Sequence, residues 1–212
     1  MKLIPWRKVE DWVCLACGIC CKEFRVPLSM HEATKLAMMF GHGCLEVNWR
    51  GYYLKKTLDR RCMFQVNLGG KLTCGIQEIK PLACKLWPFT VLREPRYGAR
   101  NEALYEFKGQ GFYVYLNPYC RGIIYGRPSE RFERKVIQEF IELSIGLRVK
   151  QELSTSPFIS LMRSITPAPR KIIINEGAFY DHKATSIIMS LPQSHQQHYF
   201  LRHPFHYNIV RI

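Results

Sequence analysis

At 212 residues and 47% hydrophobic content, the chain can bury one ordinary core, and it does not need metal or disulfides merely for lack of size. The 31 Lys and Arg outnumber the 17 Asp and Glu to give a formal net charge of +14, which points to an anionic partner, nucleic acid before membrane surface. The N-terminal run MKLIPWRKVEDWVC lacks the apolar stretch and small-residue cleavage site of a secretion signal, and LAMMF, GIIYG and SIIMSL fall far short of the roughly 20 apolar residues of a membrane span. A soluble, cytoplasmic protein with no membrane span is therefore expected.

The first informative element is CLACGICC, which places Cys14, Cys17, Cys20 and Cys21 within eight residues. A helix follows, with Ser29 and Glu32 as a capping box, Ala33, Leu36, Ala37 and Phe40 at helical spacing, and Gly41 as its stop. CMFQVNLGGKLTC reads as a hairpin turning at Gly69 and Gly70, with Cys62 and Cys74 at its outer ends. In GIQEIKPLACKLWPF, Pro81 separates two short helical turns, the second bearing Cys84, and Pro88 stops it. A second hairpin spans ALYEFKGQGFYVYL with its turn at Gly109 and Gly111, and Cys120 follows. Residues 129–150 give the strongest helical pattern, with Ser129 as N-cap and Phe132, Val136, Ile137, Phe140, Ile141 and Leu147 on one stripe, and Glu139 and Glu142 on the exposed side. Beyond residue 150 the periodicity loosens.

Nine cysteines in a reducing compartment favour metal ligation or redox chemistry over disulfides. A CxxC step turns the chain back so that two thiolates reach one ion, and Cys14, Cys17 and Cys20 repeat that step. The triplet resembles half of a ferredoxin loop more than a zinc knuckle, so a 4Fe-4S cluster is favoured, with zinc the alternative. If the backbone at Cys20 and Cys21 is extended, their side chains point to opposite sides and serve two metal positions or one polynuclear site. Two ions with four thiolates each would lower the net charge to about +10, so part of the basic excess can balance thiolate charge.

These residues resemble a known family. CLACGICC, RRCMF, LTCGIQEIKPLACKLWPF and YCRGIIYG look like the YkgJ-type cysteine-cluster proteins, a CxxCxxCC zinc- or iron-chelating domain. The resemblance covers roughly residues 10–126 and implies that Cys14, Cys17, Cys20, Cys21, Cys62, Cys74, Cys84 and Cys120 are the metal ligands, with Lys80 and Pro81 standing where the family has Arg-Pro. RGIIYG departs from the glycine-rich late segment, which leaves Cys120 the least well matched. A flagellin lysine methylase with an iron-sulfur cluster carries similar clusters, so an iron-sulfur oxidoreductase or a protein-modifying enzyme acting on a protein substrate is the activity the resemblance implies.

Several residues stay outside this set. Cys44 reads as a small buried hydrophobe, His31 and His42 as ordinary histidines, and His195, His198, His203 and His206 as a solvated cluster. WRGYYLKK interleaves Trp49, Tyr52 and Tyr53 with Arg50, Lys55 and Lys56; together with Arg60, Arg61, Arg93, Arg96 and Arg100 it supports the alternative reading, a zinc-stabilised basic module that binds RNA or a ribonucleoprotein. No catalytic constellation of serine, histidine and acid emerges, nor a GxGxxG, P-loop or HExxH motif. The expected architecture is α+β: an irregular cysteine-cluster metal-binding domain of short hairpins and helices over 1–126, an amphipathic helix over 127–150 packed on it, and a C-terminal extension over 151–212.

Overall fold

The computed structural model describes residues 2–154; the remainder of the expected extension and its four histidines lie outside the described residues. In chain order the elements are β1 (Ile4–Pro5), β2 (Val9–Trp12), α1 (Ile19–Glu23), β3 (Pro27–Leu28), α2 (Met30–Phe40), β4 (Leu45–Asn48), β5 (Gly51–Leu54), β6 (Gln65–Leu68) and β7 (Lys71–Cys74). They continue with α3 (Leu82–Leu86), β8 (Phe89–Leu92), α4 (Arg100–Ala103), β9 (Leu104–Phe107), β10 (Gln110–Leu116), β11 (Ile123–Tyr125) and α5 (Ile137–Ser144). Mixed helices and four small antiparallel sheets make this an α+β fold. β10 pairs with β1, β8 and β9; β2 pairs with β11; β5 lies between β3 and β4; and β6 pairs with β7.

Two main apolar cores result, beside a small third cluster of Leu3, Ala103, Tyr113 and Tyr115. The larger is aromatic: Phe89 stacks on Phe140 with ring centroids 3.9 Å apart, and Trp12 meets both edge-on at 5.4 and 5.2 Å. Phe132, Val136, Ile137 and Ile141 close it from the α5 side. The smaller core gathers Leu28, Ala33, Leu36, Cys44, Leu54, Cys62 and Ile76 between α2 and the β3–β5–β4 sheet. Cys14 and Cys120 pack on the edge of the first core, whereas Cys21, Cys74 and Cys84 pack on the second.

The α2 capping box forms: Glu32 N donates to Ser29 Oγ at 3.2 Å, and Glu32 Oε2 accepts from Ser29 N at 2.8 Å. The same carboxylate also ties in the first residue of α3, because Oε1 accepts from Leu82 N at 2.7 Å. Glu32→Ala therefore opens a helix cap and strips the partner from the N–H that starts the Cys84 helix. The expected cost is about 2–3 kcal/mol in urea unfolding, with Glu32→Gln losing roughly half as much because one amide oxygen still accepts.

Three local expectations are corrected. The second hairpin turns at Lys108 and Gly109, both at positive φ (50° and 74°), while Gly111 lies within β10 opposite Glu106. The helical stretch after Arg131 begins with a π turn over Phe132–Val136 and ends at Ser144, not at 150. Gly146 at φ 77° turns the chain back, which leaves Leu147 exposed and lays the following residues against α5. For that reason Glu139 is 4% exposed and not solvent-facing: its Oε1 accepts from the backbone N–H groups of Glu152 and Leu153, each at 2.9 Å. Arg148, which is paired with Glu142, also lies 3.9 Å from it.

Candidate metal centre

The CLACGICC segment is a loop that tightens into a helix. After β2, Val13 N donates to Gly122 O at 3.0 Å, and Ala16 and Gly18 both take left-handed conformations (φ 50° and 71°). Gly18 then caps α1, its carbonyl accepting from Cys21 N and Lys22 N. A side chain at Gly18 has no room, since a Cβ there would stand 2.5 Å from Gln65 Nε2 and 2.6 Å from Leu72 Cδ1. The β6–β7 hairpin presses on this loop, with Leu72 N donating to Ala16 O at 2.8 Å and Gln65 Nε2 to Gly18 O at 3.3 Å. Cys20 and Cys21 are thus helical rather than extended, and their sulfurs lie 3.9 Å apart. The backbone here is not the extended one that would send adjacent cysteines to opposite sides. Two thiolates on one tetrahedral ion with 2.3 Å bonds stand about 3.8 Å apart, so this pair can share an ion.

The other cysteines arrive from separate elements. Cys62 N donates to Cys21 O at 3.0 Å, which holds the strand entering β6 against α1. Cys74 ends β7, Cys84 sits within α3, and Cys120 lies in the tight turn after β10, where Cys120 N donates to Asn117 O at 3.1 Å. Cys120, the position least well matched in sequence, receives the indole N–H of Trp12 on its sulfur at 3.3 Å.

These elements enclose a cavity of about 80 Å³ whose lining includes Cys14, Cys17, Cys20, Cys21, Cys62, Cys74, Cys84 and Cys120, together with Thr73, Lys80 and apolar side chains such as Phe24 and Trp87. Cys44 does not line it; fully buried in the smaller core, it belongs to packing. His31 and His42 are exposed and do not line it either. Among the described residues, no three His, Cys, Asp or Glu side chains are gathered closely enough to hold an ion; the eight cysteines share one lining without converging on a point.

Burial governs five of the cavity thiols. It raises Cys62 and Cys120 to about 11 and pushes Cys14, Cys74 and Cys84 upward. Cys20 is raised first by its hydrogen bond with Cys21 and then by burial. Opposing this, backbone N–H groups two residues on point at four of the sulfurs: Ala16 at Cys14, Phe64 at Cys62, Ile76 at Cys74 and Gly122 at Cys120. Donors so placed stabilise thiolate, the form that binds metal. The chemistry of the donor set therefore fits a thiolate-bound metal: eight sulfurs around one cavity, amide hydrogens aimed at four of them, and the buried hydroxyl of Thr73 with no hydrogen-bond partner among the described residues.

Gly122 keeps this geometry closed. A Cβ there would stand 1.9 Å from Val13 O and 3.5 Å from Trp12 Nε1. Gly122→Ala must push β2 and the Cys120 turn apart, and an expected loss of about 3 kcal/mol or more should appear as a lower urea midpoint.

The WRGYYLKK run forms the turn and second strand of the β4–β5 hairpin, with Trp49 86% exposed at the turn and the Arg50 guanidinium 4.4 Å from the centre of its ring. Arg25 lies over Tyr53 at 4.2 Å and pairs with Glu46. No helix among the described residues is long and apolar enough to cross a membrane.

Fold and site together define a small α+β domain built around a thiol-lined cavity. Residues 13–121 match the CxxCxxCC family, described as a putative zinc- or iron-chelating domain, and the chain belongs to this family. No curated protein and no solved structure matches the chain.

Proposed function

We propose that this is a metal-binding protein in which Cys14, Cys17, Cys20, Cys21, Cys62, Cys74, Cys84 and Cys120 hold zinc or an iron-sulfur cluster. The observation that supports it best is that the eight cysteines set apart by their sequence spacing all line one cavity, while the ninth is packed elsewhere. A zinc ion would supply a structural cross-link, and an iron-sulfur cluster would add one-electron transfer. The protein's own part is to join the two cores at the metal, exclude water with Phe24 and Trp87, and aim amide hydrogens at sulfur. The CxxCxxC triplet favours iron-sulfur, 4Fe-4S first, and with it an oxidoreductase or protein-modifying activity carried by the centre, since the sequence offers no catalytic motif of serine, histidine and acid. Purification without oxygen, followed by metal analysis and visible absorption, tests this. Two zincs at four thiolates each, or several irons with a broad brown absorbance, are expected per chain; neither metal, with all eight thiols freely reactive, overturns it.

A second reading, a zinc-stabilised module that binds RNA, draws its support from exposed Trp49 and its arginine neighbours at the β4–β5 turn. RNA binding that weakens steeply with salt and is lost in Trp49→Ala supports it; absent or salt-independent binding removes it.

A further inference from the structure

Two polar side chains that line the cysteine cavity carry hydrogen-bonding capacity that the described residues leave unused. Thr73, on β7, is 1% exposed, lines the cavity, and its hydroxyl has no hydrogen-bond partner among the described residues. A buried hydroxyl left unsatisfied is destabilising, and such a group in a native core calls for a reason. Lys80 lines the same cavity. Its ammonium has no carboxylate partner among the described residues and is held by one neutral group, donating to Gln151 Oε1 at 3.1 Å. That amide is itself fixed: Gln151 is buried, its Nε2 donates to Lys85 O at 2.6 Å, and its Oε1 accepts from Ser154 Oγ at 2.9 Å. A lysine carries three hydrogens, so two remain beyond the Gln151 bond.

We propose that the Thr73 hydroxyl and the Lys80 ammonium are the outer donors of the metal centre, Thr73 hydrogen-bonding to its sulfur and Lys80 compensating its negative charge, with Gln151 fixing Lys80 in place. The proposal rests on the thiolate metal centre proposed above. A divalent ion with four thiolates carries a net charge of −2, and nothing anionic in the cavity except thiolate is available to either donor. Both are positioning residues that act through the sulfurs. Partners of this kind change metal affinity by roughly 10- to 100-fold when removed.

The test compares wild type, Thr73→Val, Thr73→Ser, Lys80→Met and Lys80→Arg, all purified without oxygen. Metal content per chain, the half-time of metal transfer to a chelator, and the Tm of the metal-stripped protein are measured. Thr73→Val keeps the side-chain shape, so the stripped variant should melt no lower than stripped wild type, having lost an unsatisfied hydroxyl, while its metal is lost roughly tenfold faster. Thr73→Ser should restore wild-type retention. Lys80→Met should speed release to a similar degree, and Lys80→Arg should restore it, since the arginine keeps the charge. Wild-type release rates in both Thr73→Val and Lys80→Met overturn this inference and leave the metal centre standing. A stripped Thr73→Val that melts well below stripped wild type also overturns it, because the hydroxyl would then serve the fold. Wild-type protein without zinc or iron overturns both readings together.

Discussion

Cys20→Ser should strip the protein of its metal, whereas Cys44→Ala should keep it. Cys20 lines the cavity, and its sulfur lies 3.9 Å from that of Cys21, the separation expected of two ligands on one tetrahedral ion. Binding at a four-thiolate zinc site is worth about 10–16 kcal/mol, so one ligand in four carries roughly 3–4 kcal/mol, a few hundredfold in affinity. Because metal binds the folded chain and not the unfolded one, the same variant should melt at a lower temperature than wild type when both are prepared with metal, and the gap should close when both are stripped. Cys44 sits fully buried among Leu36, Leu54 and Ile76. Its truncation removes a small packing contribution of about 1 kcal/mol and no ligand. Metal analysis and thermal melts of the two variants separate the roles, and equal metal loss in both would contradict the division of nine cysteines into eight and one.

The second large effect is with pH. Burial raises Cys62 and Cys120 from 9.0 to about 11, so both are protonated at pH 7 before metal binds. Removing each proton at pH 7 costs about 5 kcal/mol, against about 3 kcal/mol for a thiol at 9.0, and the metal–sulfur bond must offset this. Metal affinity should therefore climb steeply between pH 6 and pH 8, approaching tenfold per pH unit for every thiol an ion engages, and metal should be released as pH falls. The metal-free fold has the opposite slope. A thiol whose pKa is raised in the folded state contributes stability in full below the unfolded value of 9.0 and loses it as pH rises towards 11. Calorimetric titration in buffers of different ionisation enthalpy counts the protons released, and melts of stripped protein from pH 8 to pH 11 check the second slope. Affinity that does not change from pH 6 to pH 8 would show that no buried thiol is deprotonated on binding.

What the sequence made legible was local. The α2 capping box at Ser29 and Glu32 and the Gly69–Gly70 turn of the β6–β7 hairpin follow from side-chain hydrogen bonding and positive φ within a few residues, and they appear where the spacing puts them. The resemblance to the family grouped eight cysteines and set Cys44 aside, and the eight share a lining. Long-range placement was not legible. The Trp12 indole meets the Cys120 sulfur across 108 positions, and Glu32 reaches Leu82 across 50. The conformation of Cys20 and Cys21 depended on the left-handed cap at Gly18, which the β6–β7 hairpin leaves no room to replace. Glu139 looked solvent-facing by periodicity and became buried because the chain doubles back at Gly146. The want of a partner for Thr73 is a property of the packed cavity, and no residue pattern announces it.

The central claim, one cavity whose eight thiols hold metal, is tested most directly by counting thiols. In Cys44→Ala protein purified without oxygen, the eight remaining cysteines are titrated with a thiol reagent before and after chelation. The account predicts that chelation releases eight protected thiols along with the metal; eight thiols already reactive before the chelator is added would contradict it.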